Sequence, residues 1–400
     1  MANNNKHTGP NVPALRFPEF SGEWEQHSLS DYLRFKNGLN PDAKRFGKGI
    51  KFISVMDILN NASISYDCVR ASVAATEQEI SDFEVEYGDV LFQRSSETLE
   101  DIGRSNIYVD SRHCVFGGFV IRGKKIGEYE PYFMKYMLDS PYARKSIIVK
   151  GAGAQHFNIG QDGLSKVELF FPKYEEQVKI GDLLRIIDDR INTQSKIIEE
   201  LTTLRSALIE KCAKQSGNFY SLTDILQEME ERSTAPNQYQ VLSSTVKGIF
   251  SQKEYFNKDI ASEDNKGYKV VRKGHIVLSP QNLWMGNINY NDRFDIGIVS
   301  PSYKVFSIKE GFNPIFIAAI LQTKKALNEY MLASEQGASI VRRNLNIEAF
   351  MAIKFRIPDA RQQDSLSMAI TAINAKLNNE RCYLEQLTLQ KSSLLENMFI

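Results

Sequence analysis

The sequence has few cysteines, no long apolar run and no excess of charge of either sign. Its four cysteines, at positions 68, 114, 212 and 382, show no CxxC spacing, so neither a disulfide framework nor a zinc site is indicated. No apolar run approaches the ~20 residues of a membrane span. The polar start of the chain also lacks the apolar core of a secretory signal. We therefore expect a cytoplasmic protein with no membrane contact.

Motifs of catalysis and cofactor binding are also missing from the sequence. It contains no Walker A motif, no HExxH and no convincing pair of carboxylates, and its five histidines lack metal-ligand spacing. Lysine and arginine together number 49, and aspartate and glutamate together also number 49, so the net charge is zero. A zero net charge argues against tight nucleic-acid binding by the chain alone. We expect this chain to bind no cofactor and no metal.

What the chain does contain is an internal repeat. Pro172 and Gln177 in one stretch match Pro358 and Gln363 in another, in a gapless alignment with an offset of 186. With 42% hydrophobic residues, the 400-residue chain is long enough for two well-cored domains. The repeat predicts a tandem duplication of one globular domain plus one long helix. Weaker echoes at the same offset link 87–92, 151–152 and 158–159 with 273–278, 337–338 and 344–345.

Both matched stretches have the heptad spacing of a narrow seam between helices. A partner helix suits so narrow a stripe better than a broad core face does, although two helices packing on separate cores remain an alternative. Polar positions match too, since Gln194 corresponds to Glu380. The predicted seam comprises Ile180, Leu184, Ile187, Ile191, Gln194, Ile198 and Leu201 in the first helix, and Leu366, Ile370, Ile373, Leu377, Glu380, Leu384 and Leu387 in the second.

Each globular half has the short strand-like runs of a mixed α and β domain. Before the last strand, each half also has a predicted short helix with a proline in its first turn. The predicted fold class is α+β. Two tandem mixed α/β domains, related by a pseudo-two-fold axis, are separated by two long antiparallel coiled-coil helices. The predicted segments are a flexible N-terminal segment 1–17, a first domain 18–172, a helix 173–214, a second domain 215–358 and a C-terminal helix 359–400.

The order of domains and helices along the chain implies a geometry. The first helix leads from domain one to domain two, so a second helix on the same seam must run back, which places Gln194 close to Glu380. A helix of roughly 37 residues at ~1.5 Å per residue spans about 55 Å. This length exceeds the ~34 Å of one DNA turn. We expect the domains to read two half-sites on opposite strands, with untouched base pairs between them.

These features together resemble the specificity subunit of a type I restriction-modification system. The second half departs from the pattern, because His275 replaces the aspartate and no arginine follows the strand. Different half-site sequences would produce this divergence. The resemblance covers nearly the whole chain and is carried by Phe17-Pro18-Glu19-Phe20 with Trp24 and Leu29, the strand and loop 88–95, the helix 172–211 and the ending 394–400.

The resemblance implies a non-catalytic subunit for DNA recognition and assembly in a restriction system. In that family, two target recognition domains each read half of a split double-stranded DNA target. The helices recruit methyltransferase (modification) subunits, which the restriction/translocase subunits join. S-adenosylmethionine, ATP and Mg are then expected in the partner subunits, where the DNA modification takes place.

Two loops in each half carry the residues suited to base readout, which are Arg for guanine and Asn or Gln for adenine. Glycines in these loops permit close approach to a phosphate backbone. A turn or helix cap is the alternative role for Asn158 and Asn344. The DNA-binding candidates are Arg94, Ser95, Gly151, Gln155, His156 and Asn158 in the first half, and Gln281, Asn282, Gly337, Arg342, Arg343 and Asn344 in the second.

Two other classes of function compete with this interpretation. A self-contained DNA methyltransferase or nuclease would need an Asn/Asp-Pro-Pro-type motif or clustered acidic residues with a lysine on a strand, and the sequence has neither. A protein-only coiled-coil scaffold would have globular domains without a basic concave face. DNA recognition remains the leading hypothesis.

Overall fold

The computed structural model describes residues 11–153, 156–215, 217–256, 264–339 and 342–400. The chain divides into two compact units, the first formed by Met1–Ser195 with Cys382–Ile400 and the second by Lys196–Arg381. The division falls inside both long helices, Tyr174–Gln215 and Ala360–Asn397. Within the described ranges, no helix is long and apolar enough to cross a membrane.

The first unit is a mixed α/β domain. Its strands are Glu25–Ser28, Leu33–Asn37, Phe46–Ile53, Ser72–Val73, Glu84–Val85, Val90–Gln93, Ser95–Ser96, Ser105–Ile107, Cys114–Phe116, Val120–Lys125, Phe157–Asn158 and Glu168–Phe171. Its short helices are Leu29–Tyr32, Ala43–Arg45 (3₁₀), Val55–Asn60, Glu77–Phe83, Pro131–Asp139, Pro141–Ile148 and Gln161–Ser165.

The second unit has the same kind of architecture. Its strands are Asn218–Ser221, Leu226–Glu228, Leu242–Thr245, Gly248–Ser251, Lys269–Arg272, Ile276–Leu278, Ile288–Tyr290, Ile296–Val299, Lys304–Ile308, Ser334–Ser339, Arg342–Leu345 and Lys354–Ile357. Its short helices are Leu222–Ile225, Gln252–Phe256, Leu283–Met285 (3₁₀), Pro314–Ile320, Lys324–Leu332 and Ile347–Ala352.

Equivalent four-stranded antiparallel sheets form the centre of each unit. In the first, the strand order is Leu33–Asn37, Val120–Lys125, Val90–Gln93, Ser105–Ile107, and in the second it is Leu226–Glu228, Lys304–Ile308, Ile276–Leu278, Ile288–Tyr290. The register matches as well, because Ile121 faces Phe92 and Lys304 faces Leu278. This repeated topology confirms the prediction of two mixed α/β domains of one kind.

A matched glutamine fastens the start of each long helix to its domain. The Gln177 side chain accepts a hydrogen bond from the backbone N–H of Glu130 (3.1 Å) and donates one to the carbonyl of Pro172 (3.0 Å). Gln363 accepts from Asn313 (2.8 Å) and donates to the carbonyl of the proline five residues before it (2.9 Å). Both amides are buried. The glutamine thus joins the end of the last strand to the cap of the proline-opened helix.

Both long helices contribute to the core of the first unit. In the first unit, Ile180 and Leu184 share a core cluster with Phe133, Met398 and Phe399. The start of the first long helix therefore lies beside the end of the second, and the two run antiparallel within this unit. Both also pack on the core of this one domain, so the two helix ends share a core instead of packing on separate ones. Every predicted seam residue is buried or half-buried.

An ion-pair cluster ties the last helix to the first domain. The Asp188 carboxylate accepts a hydrogen bond from the Tyr136 hydroxyl (2.8 Å) and pairs with the Lys391 ammonium (2.6 Å). Lys135 lies 3.7 Å from the same carboxylate and 3.4 Å from that of Asp139. The four charged groups, but not Tyr136, line a polar cavity of about 310 Å³. Since opposite charges in the cluster pair with each other, they stabilise the junction of helix and domain.

Residues 11–17, which belong to the predicted flexible N-terminal segment, make several contacts with the rest of the first unit. Arg16 makes a two-armed ion pair with Glu176, with both N–O distances at 2.7 Å and both side chains nearly fully buried. The backbone N–H of Leu15 donates to the carbonyl of Asn397 (2.8 Å). Residues 1–10 of that segment lie outside the described part of the chain.

One strand of the first unit, Phe46–Ile53, ends two residues before the strand-like pattern of the sequence does, although it also begins five residues before that pattern. The run 51–55 reads as a strand, but the strand ends at Ile53 and the helix Val55–Asn60 follows. The backbone N–H and hydroxyl of Ser54 both donate to the Asp57 carboxylate, at 2.8 and 2.7 Å, which forms a capping arrangement. The cap overrides the strand preference of Val55.

We predict that Gln363→Ala destabilises the second unit by roughly 1–3 kcal/mol, because it leaves a buried N–H and a buried carbonyl without their partner. Hydrogen exchange of the strand amides of this unit measures the change. Asn378→Ala, which removes an exposed amide from the same helix, is the matched control. Equal protection in both variants would contradict the role of the glutamine.

Candidate nucleic-acid interface

The two candidate loops of the first unit meet. The short strands Ser95–Ser96 and Phe157–Asn158 pair antiparallel, with Ser95 opposite Asn158. The Ser95 hydroxyl donates to the Asn158 side-chain oxygen (2.5 Å), and the Asn158 backbone exchanges two hydrogen bonds with Ala152 (2.8 and 2.9 Å). Segments some sixty residues apart in sequence therefore form one edge, on which Asn158 and His156 are exposed.

Arg94 and Gly151 adjoin this edge and make contacts within the fold. The backbone carbonyl of Arg94 accepts from Ile159 (3.0 Å), while its half-buried guanidinium donates to the carbonyl of Gly118 (3.3 Å). At Gly151, a Cβ atom would lie 3.1 Å from the Ile102 side chain, so the loop packs closely there. Gln155 lies outside the described residues.

The second unit brings its candidate loops together in a similar way. The backbone N–H of Arg343 donates to the carbonyl of Gln281 (3.2 Å). Arg343 belongs to the strand Arg342–Leu345, which pairs with Ser334–Ser339 through an irregular register. Its half-buried guanidinium donates to the carbonyl of Ser334 (2.7 Å), so this arginine holds the hairpin together.

The remaining candidate residues of the second unit differ in how far their side chains are exposed to solvent. Gln281 and Asn344 are exposed, whereas Asn282 is half-buried and immediately precedes the 3₁₀ helix Leu283–Met285. Gly337 and Arg342 lie on the two strands of the hairpin. The structure therefore offers Gln281 and Asn344 to solvent in this unit, as it offers His156 and Asn158 in the first. Contact of any of them with DNA stays a prediction.

The departure of His275 from the expected aspartate has a structural reason. In the first unit, the buried Asp89 carboxylate accepts hydrogen bonds from the backbone N–H groups of Glu86 (3.1 Å) and Lys125 (2.9 Å). His275 occupies the matching position, and its Nδ1 accepts from the backbone N–H of Arg272 (3.2 Å). Both residues therefore close the turn before the central strand, a structural role separate from any contact with DNA. Burial raises the pKa of Asp89 and lowers the pKa of His275.

The carboxylates of Glu84 and Glu86 and the imidazole of His113 bring ligand atoms within 4.8 Å of one another. The Lys124 ammonium already lies 3.2 Å from Glu86 and 4.0 Å from Glu84. Because this lysine supplies the compensating charge, we assign no metal to the cluster.

Sequence reasoning missed a turn that adjoins the interface of the first unit. The backbone N–H of Arg94 donates to the carbonyl of Phe119 (2.9 Å), so the turn 117–120 lies directly beside the candidate loops. The pair Gly117-Gly118, which favours a tight turn, was the signal that the sequence offered.

Residues 21–203 match the model of a protein family described as the type I restriction modification DNA specificity domain. Over this segment, the chain is similar to that DNA specificity domain. The match covers the first domain, including the edge formed by Ser95 and Asn158, and extends into the first long helix. It confirms the resemblance drawn from the sequence. No curated protein matches the chain closely enough to count as a relative.

Solved structures are also similar to this chain in fold. The crystal structure of a type I restriction-modification system S subunit from M. genitalium is 16% identical, with a TM-score of 0.58 over 97% of this chain and 99% of that one. A second structure, from work on complex assembly and conformational transition of the type I R-M system, is 10% identical. Its TM-score is 0.54 over 93% of this chain and 96% of that one. The specificity subunit fold thus extends over both units.

His275 predicts a pH-dependent stability for the second unit. Because burial lowers its folded pKa, the unfolded chain binds a proton first as the pH falls. Stability is therefore full above the ordinary histidine pKa of about 6.5 and is lost as the pH falls through it. Hydrogen exchange of the strand Lys269–Arg272 at several pH values measures this loss.

His275→Asp is the matched variant, because aspartate fills the same position in the first unit. We expect it to keep the acceptor for Arg272 and to remove the loss of stability as the pH falls from about 7 to 5, because protonation of an aspartate whose pKa is raised by burial, as at Asp89, creates no buried positive charge. His275 is the only histidine in the sequence of the second unit. An unchanged pH profile in the variant would show that another group causes the effect.

Proposed function

We propose that the chain is the DNA sequence-recognition and assembly subunit of a type I restriction-modification complex. Each globular domain reads one half of a bipartite double-stranded DNA target. The helical pair sets the spacing of the two half-sites and docks methyltransferase subunits. The chain itself is non-catalytic, and S-adenosylmethionine, ATP and Mg bind the partner subunits.

One observation carries the proposal. Both units present two loops at equivalent places on the same scaffold, and the matched Asn158 and Asn344 are exposed in both. Other matched loop positions differ, since Ser95 and His156 of the first unit correspond to Gln281 and Arg342 of the second. A scaffold that is repeated while its exposed loops diverge is what two different half-sites require. Asparagine and glutamine can bind adenine through two hydrogen bonds.

The outer faces of the long helices supply the assembly surface in this proposal. Ile186, Leu204, Met368 and Leu389 are each more than half exposed on them. These apolar side chains, exposed on otherwise polar helices, are the contacts that we assign to a protein partner. We assign this surface to the methyltransferase subunits, which the restriction/translocase subunits join, and the complex to the cytoplasm, where host DNA lies.

The test of recognition is a map of methylated bases in cells that contain the chain and its methyltransferase subunit, compared with cells that lack the chain. We expect one split motif, methylated on both strands, to disappear when the chain is deleted. If the chain co-purifies with an active methyltransferase and no split motif changes, the proposal is wrong.

The assembly surface has its own test. We predict that Leu204→Glu and Leu389→Glu each weaken binding to the purified methyltransferase subunit roughly tenfold, because a buried charge replaces an apolar contact. Asn379→Glu adds the same charge at another exposed position of the second long helix. Equal affinity of all three variants, measured by calorimetry, would place the docking surface elsewhere.

A further inference from the structure

Equivalent tight turns lie beside the candidate interface in both units. In the first, the strand Cys114–Phe116 ends in the turn 117–120, which the backbone N–H of Val120 closes on the carbonyl of Gly117 (2.8 Å). In the second, the strand Ile296–Val299 ends in the turn 300–303. There the N–H of Tyr303 donates to the carbonyl of Ser300 (3.0 Å). Each turn leads into the strand next to the central one.

The backbone of the first turn is held on three sides. The N–H of Gly117 donates to the carbonyl of Ile53 (3.0 Å), and the carbonyls of Gly118 and Phe119 accept from Arg94 (3.3 and 2.9 Å). A Cβ atom at Gly118 would lie only 1.8 Å from the exposed Asn40 side chain, so a larger residue there would have to displace Asn40. The turn therefore presents its third residue from a fixed position.

That third residue differs between the two units. In the first unit it is Phe119, an aromatic residue that is 70% exposed. In the second unit the corresponding residue is Ser302, which is polar and also exposed. A single exposed apolar residue is common on protein surfaces. Phe119 is distinguished by its place on a constrained turn, next to Arg94 and the paired strands of Ser95 and Asn158.

We propose that the third position of this turn is a specificity-determining contact, at which Phe119 binds the 5-methyl group of a thymine in the first half-site. This inference rests on the proposed function, since it places the turn against the DNA. The thymine methyl is the apolar group that base pairs display in the major groove, and an aromatic side chain is among the groups that contact it. Ser302 offers a hydroxyl to a different base pair in the second half-site.

The experiment uses the complex of the full chain with its methyltransferase subunit and a duplex that carries the bipartite target. Each thymine of the first half-site is replaced in turn by deoxyuridine, which lacks only the methyl group. We expect wild-type affinity to fall roughly fourfold at one position, the value of one buried methyl group. The Phe119→Ala variant should lose at least as much on unmodified DNA and nothing further on the deoxyuridine duplex.

Two further variants complete the test. Phe119→Ser copies the second unit and should behave like Phe119→Ala, while Phe219→Ala removes an exposed phenylalanine elsewhere and should bind like wild type. Wild-type affinity of Phe119→Ala, additive losses with deoxyuridine, or a first half-site without thymine would each overturn the inference. If wild type itself does not bind the split target, the proposed function fails instead.

Discussion

The structure depends on a buried amide that fixes how each long helix leaves its domain. Gln177 and Gln363 each satisfy one donor and one acceptor that would otherwise be buried without a partner. Because one partner is the carbonyl of the proline that ends the last strand and the other is the cap of a short helix, the direction of the long helix follows from the domain. A rigid exit direction is what a subunit needs if helices are to space two reading domains.

The two units share one scaffold, whereas their loops differ in sequence. Positions inside the scaffold tolerate a change of residue when the replacement makes the same contact, as His275 does for Asp89. Matched positions at the edge beside the central strands differ in chemistry, as Ser95 of the first unit corresponds to Gln281 of the second and His156 to Arg342. The internal repeat is thus a comparison within one chain, and it separates positions whose contacts recur from loop positions whose residues differ.

Much of the fold could be predicted from the sequence because the signals are local. The period of Ile180, Leu184 and Ile187 predicts a long helix, and Pro131 predicts the start of the helix Pro131–Asp139. The candidate loops could be chosen by residue type, but their pairing depends on contacts between distant segments that leave no local pattern. Phe119 was missed for the same reason, since its neighbour Arg94 is far away in sequence and near in space.

The central claim is that two separate domains read two separated half-sites. A hydroxyl-radical footprint of the complex between the full chain and its methyltransferase subunit, on a duplex with the mapped target, tests it most directly. If the two domains read two half-sites, we expect two protected blocks, one per half-site, with accessible base pairs between them. One continuous block over the recognition bases alone, or protection of a single half-site, would contradict it.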